Sequence, residues 1–245
     1  KLRGYDLALA QITSRWRGFM KQLEDFSEEF DQDDGEYLLD SGLLVKTLVS
    51  FATHQSKFKT VGKLSLRKIE ESWELAKEGL RYAVNFIKSD AGFDKLKFLS
   101  SPFVLIPISV YYILKEQNIS EKEERQLLKW LFYSHMRGHY SLGSSESILD
   151  ADLSILFNKK SLGDLNNLLL QHVKKLEVTP EDLIHKRTSS PFFSMLYLVL
   201  KAGGAKDWFT GLPLSQNHIG KSHSIQFHHI FPKALLKEKN FDRKD

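Results

Sequence analysis

The residues best suited to chemistry lie near the end of the chain, in Ser224-Ile225-Gln226-Phe227-His228-His229-Ile230-Phe231-Pro232-Lys233. Apolar residues alternate through this run, which is the period of a strand. Pro232 closes it, because proline cannot donate to a β-ladder. Two adjacent imidazoles at a strand end, before a Pro-Lys turn, suit a group that binds a metal and moves a proton. Neighbouring strand residues point to opposite faces, so the pair converges on one site only at a bulge or at the strand's end. The alternative is one buried and one exposed histidine on an edge strand.

Two further places carry charge in a suggestive pattern. Between Thr53 and Lys68 the chain holds Lys57, Lys59, Lys63, Arg67 and Lys68 with no acid among them, around Gly62 and with Phe58 interleaved. Such a stretch either grips phosphates or is a solvated loop. In Arg137-Gly138-His139-Tyr140-Ser141, Arg137 and His139 fit a phosphate contact, or equally a cationic helix end that complements the dipole. The acidic patch from Glu28 to Glu36 does not fit a calcium loop. Counting from Asp31, position five is Gly35 and position twelve is Gly42, where carboxylates are needed.

The elements that must position these residues read as helices from residue 1 to about 204. Tyr5, Leu9, Ile12, Trp16, Phe19, Leu23, Phe26 and Phe30 alternate four and three apart, predicting one helix of over twenty residues with a single apolar stripe. That stripe packs against its own domain or against a partner chain. Further helices are predicted over Leu38–Phe51, from Ser65 to about Ile87, over Pro102–Lys115 and from the Ser120/Glu123 capping box to Met136. Others start at Ser144-Ser145-Glu146 and run through Asp152, cover Ser161–Val173, open at Thr179-Pro180, and run from Phe192 to Lys201 before Gly203-Gly204. After the double glycine, Trp208, Gly211, Pro213, His218, Gly220 and His223 mark turn-rich chain. Four of the nine histidines lie between 218 and 229, so a different unit is expected from 205 to 245.

Composition limits the chemistry. The 245 residues are 42% hydrophobic and 27% charged, enough for a sizeable core. There is no cysteine, which excludes disulfides and thiolate-bound zinc and leaves His, Asp, Glu or Asn as metal donors. It also fits a reducing compartment, and a cytoplasmic location is expected. The net charge of +4, with a pI near 9.0, is a mild basic bias compatible with nucleic acid. The apolar runs Pro102–Leu114 and Pro191–Leu200 are shorter than the ~20 residues of a membrane span. No membrane partner is expected. The chain starts without Met and without a secretory pattern, and is expected to be an excerpt of a longer polypeptide.

The string from Phe227 to Leu236 resembles the first half of an HNH (ββα-metal) nuclease motif. More specifically, it resembles the nuclease region of GmrSD-like type IV restriction endonucleases. Leu43-Leu44-Val45-Lys46-Thr47-Leu48, Phe58-Lys59-Thr60-Val61-Gly62-Lys63-Leu64-Ser65 and Ala83-Val84-Asn85-Phe86 are similar to the helical region that precedes the motif in that family. So are the Arg137–Ser141 and Ser144–Glu146 strings. The resemblance implies a multi-helix, bundle-like domain followed by an incomplete ββα-metal unit. It implies His229 as general base on the attacking water and His228 as ligand of a divalent metal ion, Mg²⁺ or similar. Pro232 and Lys233 match the motif's turn, and Lys233 contacts a backbone phosphate or is a plain surface lysine. The family's second strand, its base-orienting Asn and its last metal ligand are not placed before Asp245, so the piece alone is expected to be inactive.

Three readings follow. One is a metal-dependent DNA endonuclease of a restriction or defence system. Another is a helical module that binds DNA or a partner subunit without catalysis. The last is a helical scaffold that forms a homo-oligomer through the Tyr5–Phe30 stripe.

Overall fold

The structure is a computed structural model that describes residues 4–30, 37–158, 161–184, 186–187, 189–208, 211–214 and 238–239. It is mainly helical. Two compact units divide the chain, Lys1–Val199 and Leu200–Asp245.

The first unit begins with α1 (Gly4–Arg15) and α2 (Phe19–Glu28), where the four-three spacing predicts one continuous helix. The break at Trp16-Arg17-Gly18 is a tight turn in which the Phe19 N–H bonds the Trp16 carbonyl. It re-aims the stripe, leaving Ile12, Phe19, Leu23 and Phe26 at 3% exposure or less. Phe19 and Phe26 both meet the Trp73 indole edge-on, with ring centroids 5.6 and 5.5 Å apart. Each such side chain contributes roughly 1.5–3 kcal/mol by leaving water. The stripe is therefore spent on its own unit.

Trp73 belongs to α4 (Leu66–Asn85), whose inward face is Ile69, Trp73, Ala76, Leu80 and Ala83. Ser65 caps it, accepting the Lys68 N–H, and α3 (Ser41–Thr53) is capped likewise by Asp40. Helix α3 is buried on every side from Leu43 to Ala52. Helix α4 ends in a wide π-type turn, Phe86–Asp90, and α5 (Leu105–Leu114) runs back along it. Their backbones approach closely where Gly79 faces Ser109: a Cβ on residue 79 would sit 2.8 Å from the Ser109 Cβ. Pro107 lies in the first turn of α5, where its missing N–H leaves no bond unmade.

Helix α6 (Glu121–Met136) opens with the predicted capping box, α7 (Ser145–Phe157) is capped by Ser144, and α8 (Leu162–Val173) by Ser161 with Asp164. The last helix, α9 (Pro191–Ala202), spans the division between the units. In the second unit Gly204 takes a left-handed φ of 74° to stop α9. Lys206 and Pro213 then form an antiparallel bridge closed through Gly211. Trp208, at its tip, is 84% exposed. Among the described residues there is no further pairing, and no helix is long and apolar enough to cross a membrane.

Candidate functional site

The histidine pair His228-His229 and Lys233 lie outside the described residues, as does the whole Ser224–Lys233 run. The acidic residues 31–36 do too.

The basic stretch is described throughout. It leaves α3 at His54, whose φ of 58° turns the chain, and its imidazole stacks on Phe157 of α7 at 4.1 Å. Partial burial, and then the charge of Lys68, push the His54 pKa down. Residues Phe58–Lys63 form a 3-10 turn. Its base is anchored by Ser56, fully buried, whose N–H donates to Asp150 Oδ1 at 2.7 Å. The Ser56 hydroxyl sits 2.8 Å from the Glu146 carbonyl oxygen. Burial alone would raise the Asp150 carboxyl, but the Ser56 N–H and hydroxyl and the Lys57 ammonium outweigh it and hold it below its ordinary range.

Beneath the turn lies Lys46 of α3, a lysine only 7% exposed. Its ammonium donates to Glu146 Oε1 at 2.7 Å and to the Ser56 carbonyl at 3.2 Å, and stands 4.1 Å above the Phe58 ring. A buried ammonium is costly unless fully paired, and these three partners supply the pairing. On the other side, Arg15 of α1 donates to the Gly62 carbonyl at 2.6 Å. Three helices thus hold one short turn.

The cations of this stretch are not equivalent. Lys57 pairs with Asp150 at 3.1 Å and Arg67 with Glu71 at 2.7 Å. Lys59 and Lys63 are exposed and have no ion pair among the described residues.

The Arg137–Ser141 segment is different. Arg137 follows α6, and its guanidinium bonds both carboxylate oxygens of Asp182, at 3.3 and 3.2 Å, and the Glu177 carbonyl. It also lies over the Phe192 ring, and its side chain is 13% exposed. His139 is fully buried, with Nε2 3.0 Å from Asp152 Oδ2. The Tyr140 hydroxyl donates to the same oxygen at 2.7 Å. Burial, with the neighbouring Asp152 charge, pushes the Tyr140 hydroxyl well above its ordinary pKa, so it remains a donor. The His139 ring stacks on His172 of α8 at 5.3 Å. Of the two sequence alternatives, the fold takes neither in simple form: Arg137 clamps the 177–182 segment, and His139 ties its turn to α7 and α8. Neither side chain is offered to a phosphate.

A serine and a histidine also meet at His135 of α6 and Ser194 of α9, 2.7 Å apart and both buried. His135 Nδ1 accepts the Ser100 N–H at 2.9 Å, so Nε2 carries the proton. The Ser194 hydroxyl donates to the Pro191 carbonyl. Hydrogen bonding therefore runs from histidine to serine, opposite to the direction a histidine base needs to activate a nucleophile. Burial pushes the His135 pKa down to about 4, partly offset by the Pro191 carbonyl. This is a structural pair.

Sequence reasoning missed Lys46, Ser56, Glu146 and Asp150 as the mount of the basic turn. One signal was present: Lys46 is a lone cation inside the apolar run Leu43–Phe51. Among the described residues, no group of three or more metal-binding side chains converges. No protein-family model, curated protein or solved structure matches the chain.

Proposed function

We propose that the chain is the helical body and leading strand of a metal-dependent HNH-type DNA endonuclease of a restriction or defence system. The observation that carries this reading is the string Phe227-His228-His229-Ile230-Phe231-Pro232-Lys233, which follows a helical unit in the sequence. His229 takes a proton from the attacking water, an imidazole being suited to that task near neutral pH. Oxygen then bonds to phosphorus and the bond to the leaving sugar oxygen breaks. The donor chemistry of His228 fits a divalent cation, which when bound would neutralise charge on the scissile phosphate. The ββα-metal unit, completed by residues beyond Asp245, is part of this proposal.

A second reading, a helical DNA- or partner-binding module without catalysis, is favoured by the anchored basic turn with exposed Lys59 and Lys63. Cleavage of plasmid and of modified DNA by the full-length parent, with and without divalent metal, separates the two. The nuclease reading expects metal-dependent cutting that disappears in His229→Ala. Equal cutting by the variant, or none by any form, refutes it.

A further inference from the structure

The carboxylates that meet the basic turn are each already matched. Glu146 is taken by Lys46, Asp150 by Lys57 and Glu71 by Arg67. Lys59, Lys63 and Lys68 remain without an ion pair among the described residues, and Arg15 adds its charge by bonding the Gly62 carbonyl beside Lys63. The turn is also preorganised: its backbone is held at Ser56 from α7, at the Ser56 carbonyl from α3 and at Gly62 from α1. A polyanion binding there orders little chain, so less affinity is lost to entropy.

We propose that this corner, with Lys59 and Lys63 at its centre flanked by Lys68 and Arg15, is a sequence-independent grip on a nucleic-acid phosphate backbone. A 3-10 turn rises about 2.0 Å per residue with three residues per turn, so Lys59 and Lys63 lie roughly 8 Å apart along its axis and about 120° apart around it. Two long side chains so placed can reach separate phosphates of one strand, which follow one another at about 3.4 Å of helix axis each. The same accounting assigns Lys57 and Arg67 no such role. An anionic membrane fits less well, because the turn offers little apolar surface: Val61 is fully buried, and half-buried Phe58 packs against the Lys46 ammonium. Membrane binding needs apolar surface to insert as well as charge. The inference takes from the nuclease reading only the nature of the polymer.

The test is fluorescence anisotropy of the full-length parent with a mixed-sequence DNA duplex in EDTA, between 50 and 200 mM KCl. The set comprises wild type, Lys59→Gln/Lys63→Gln and Lys57→Gln/Arg67→Gln, with phosphatidylserine vesicles offered to wild type in parallel. Each phosphate contact contributes about 0.9 to the slope of log affinity against log salt. The first double variant is expected to lower that slope by about 2, shrinking the affinity loss across this salt range by roughly tenfold. The second leaves the slope unchanged. Three results overturn the proposal: no DNA binding by wild type, equal slopes for wild type and Lys59→Gln/Lys63→Gln, or binding only to phosphatidylserine vesicles. EDTA removes cutting from the readout, so failure here is distinct from failure of the His229 cleavage experiment.

Discussion

His135 makes an acid-sensitive fastening between α6, the Ser100 backbone and α9. Its imidazole is fully buried, and in the folded chain its pKa lies at about 4, against 6.5 when free. Below pH 6.5 the unfolded chain takes up a proton that the folded chain refuses, so stability falls as pH falls. Each pH unit in that window costs about 1.4 kcal/mol. From pH 6.5 to pH 5, above the range where ordinary carboxylates titrate, the loss from this one residue is about 2 kcal/mol. Below pH 4 the folded form also binds the proton and the loss levels off near 3 kcal/mol. For a chain of this size, 2 kcal/mol corresponds to a fall in Tm of roughly 4–8 °C. The comparison is thermal unfolding of wild type and His135→Gln at pH 7 and pH 5, glutamine keeping a donor near Ser194. Wild type should lose about 2 kcal/mol more than the variant across the interval. Parallel losses refute the reasoning. An NMR titration of the wild-type imidazole does so directly if its midpoint lies near 6.5.

Two other perturbations probe the packing. Gly79→Ala adds a methyl 2.8 Å from the Ser109 Cβ and 2.9 Å from the Ser109 carbonyl oxygen. It should cost about 1–3 kcal/mol in urea unfolding despite alanine's better helix propensity, and a gain in stability would show that α4 and α5 part easily. Asp150→Ala leaves the buried Ser56 N–H without its partner. A loss of about 1–3 kcal/mol is expected, with faster tryptic cutting after Lys57, Lys59 or Lys63. An unchanged digestion rate would mean that α7 does not hold the turn.

Helix positions were legible wherever one residue both caps and punctuates. Ser65, Ser120, Ser144 and Ser161 each sit one residue before a helix because their side chains meet N–H groups a few positions on, a local matter that sequence records. The break after Arg15 was not legible. A stripe alternating four and three apart continues across it unchanged, and only the position of Trp73 explains why Phe19 turns inward. The charge pattern from Lys57 to Lys68 was legible as a surplus. Which cations keep their charge was not, because Asp150 lies about ninety residues further along the chain and reaches Lys57 through tertiary packing. A separation of 45 residues hides the pairing of Arg137 with Asp182 in the same way. His228 and His229 stand out through local order alone, and both lie outside the described residues.

The exposed Trp208 gives the second unit an optical signature of its own. Trp73 and Trp130 are sealed in the first unit at 0% exposure, so their emission should be blue-shifted and out of reach of iodide. Trp208, in water, emits further to the red and is open to collisional quenching. Of the four tryptophans in the chain, it alone lies in the Leu200–Asp245 unit. Selective quenching at the red edge of the spectrum therefore weights the second unit, half-buried Trp16 being the first unit's one contribution. A ligand that settles on the second unit will announce itself there first.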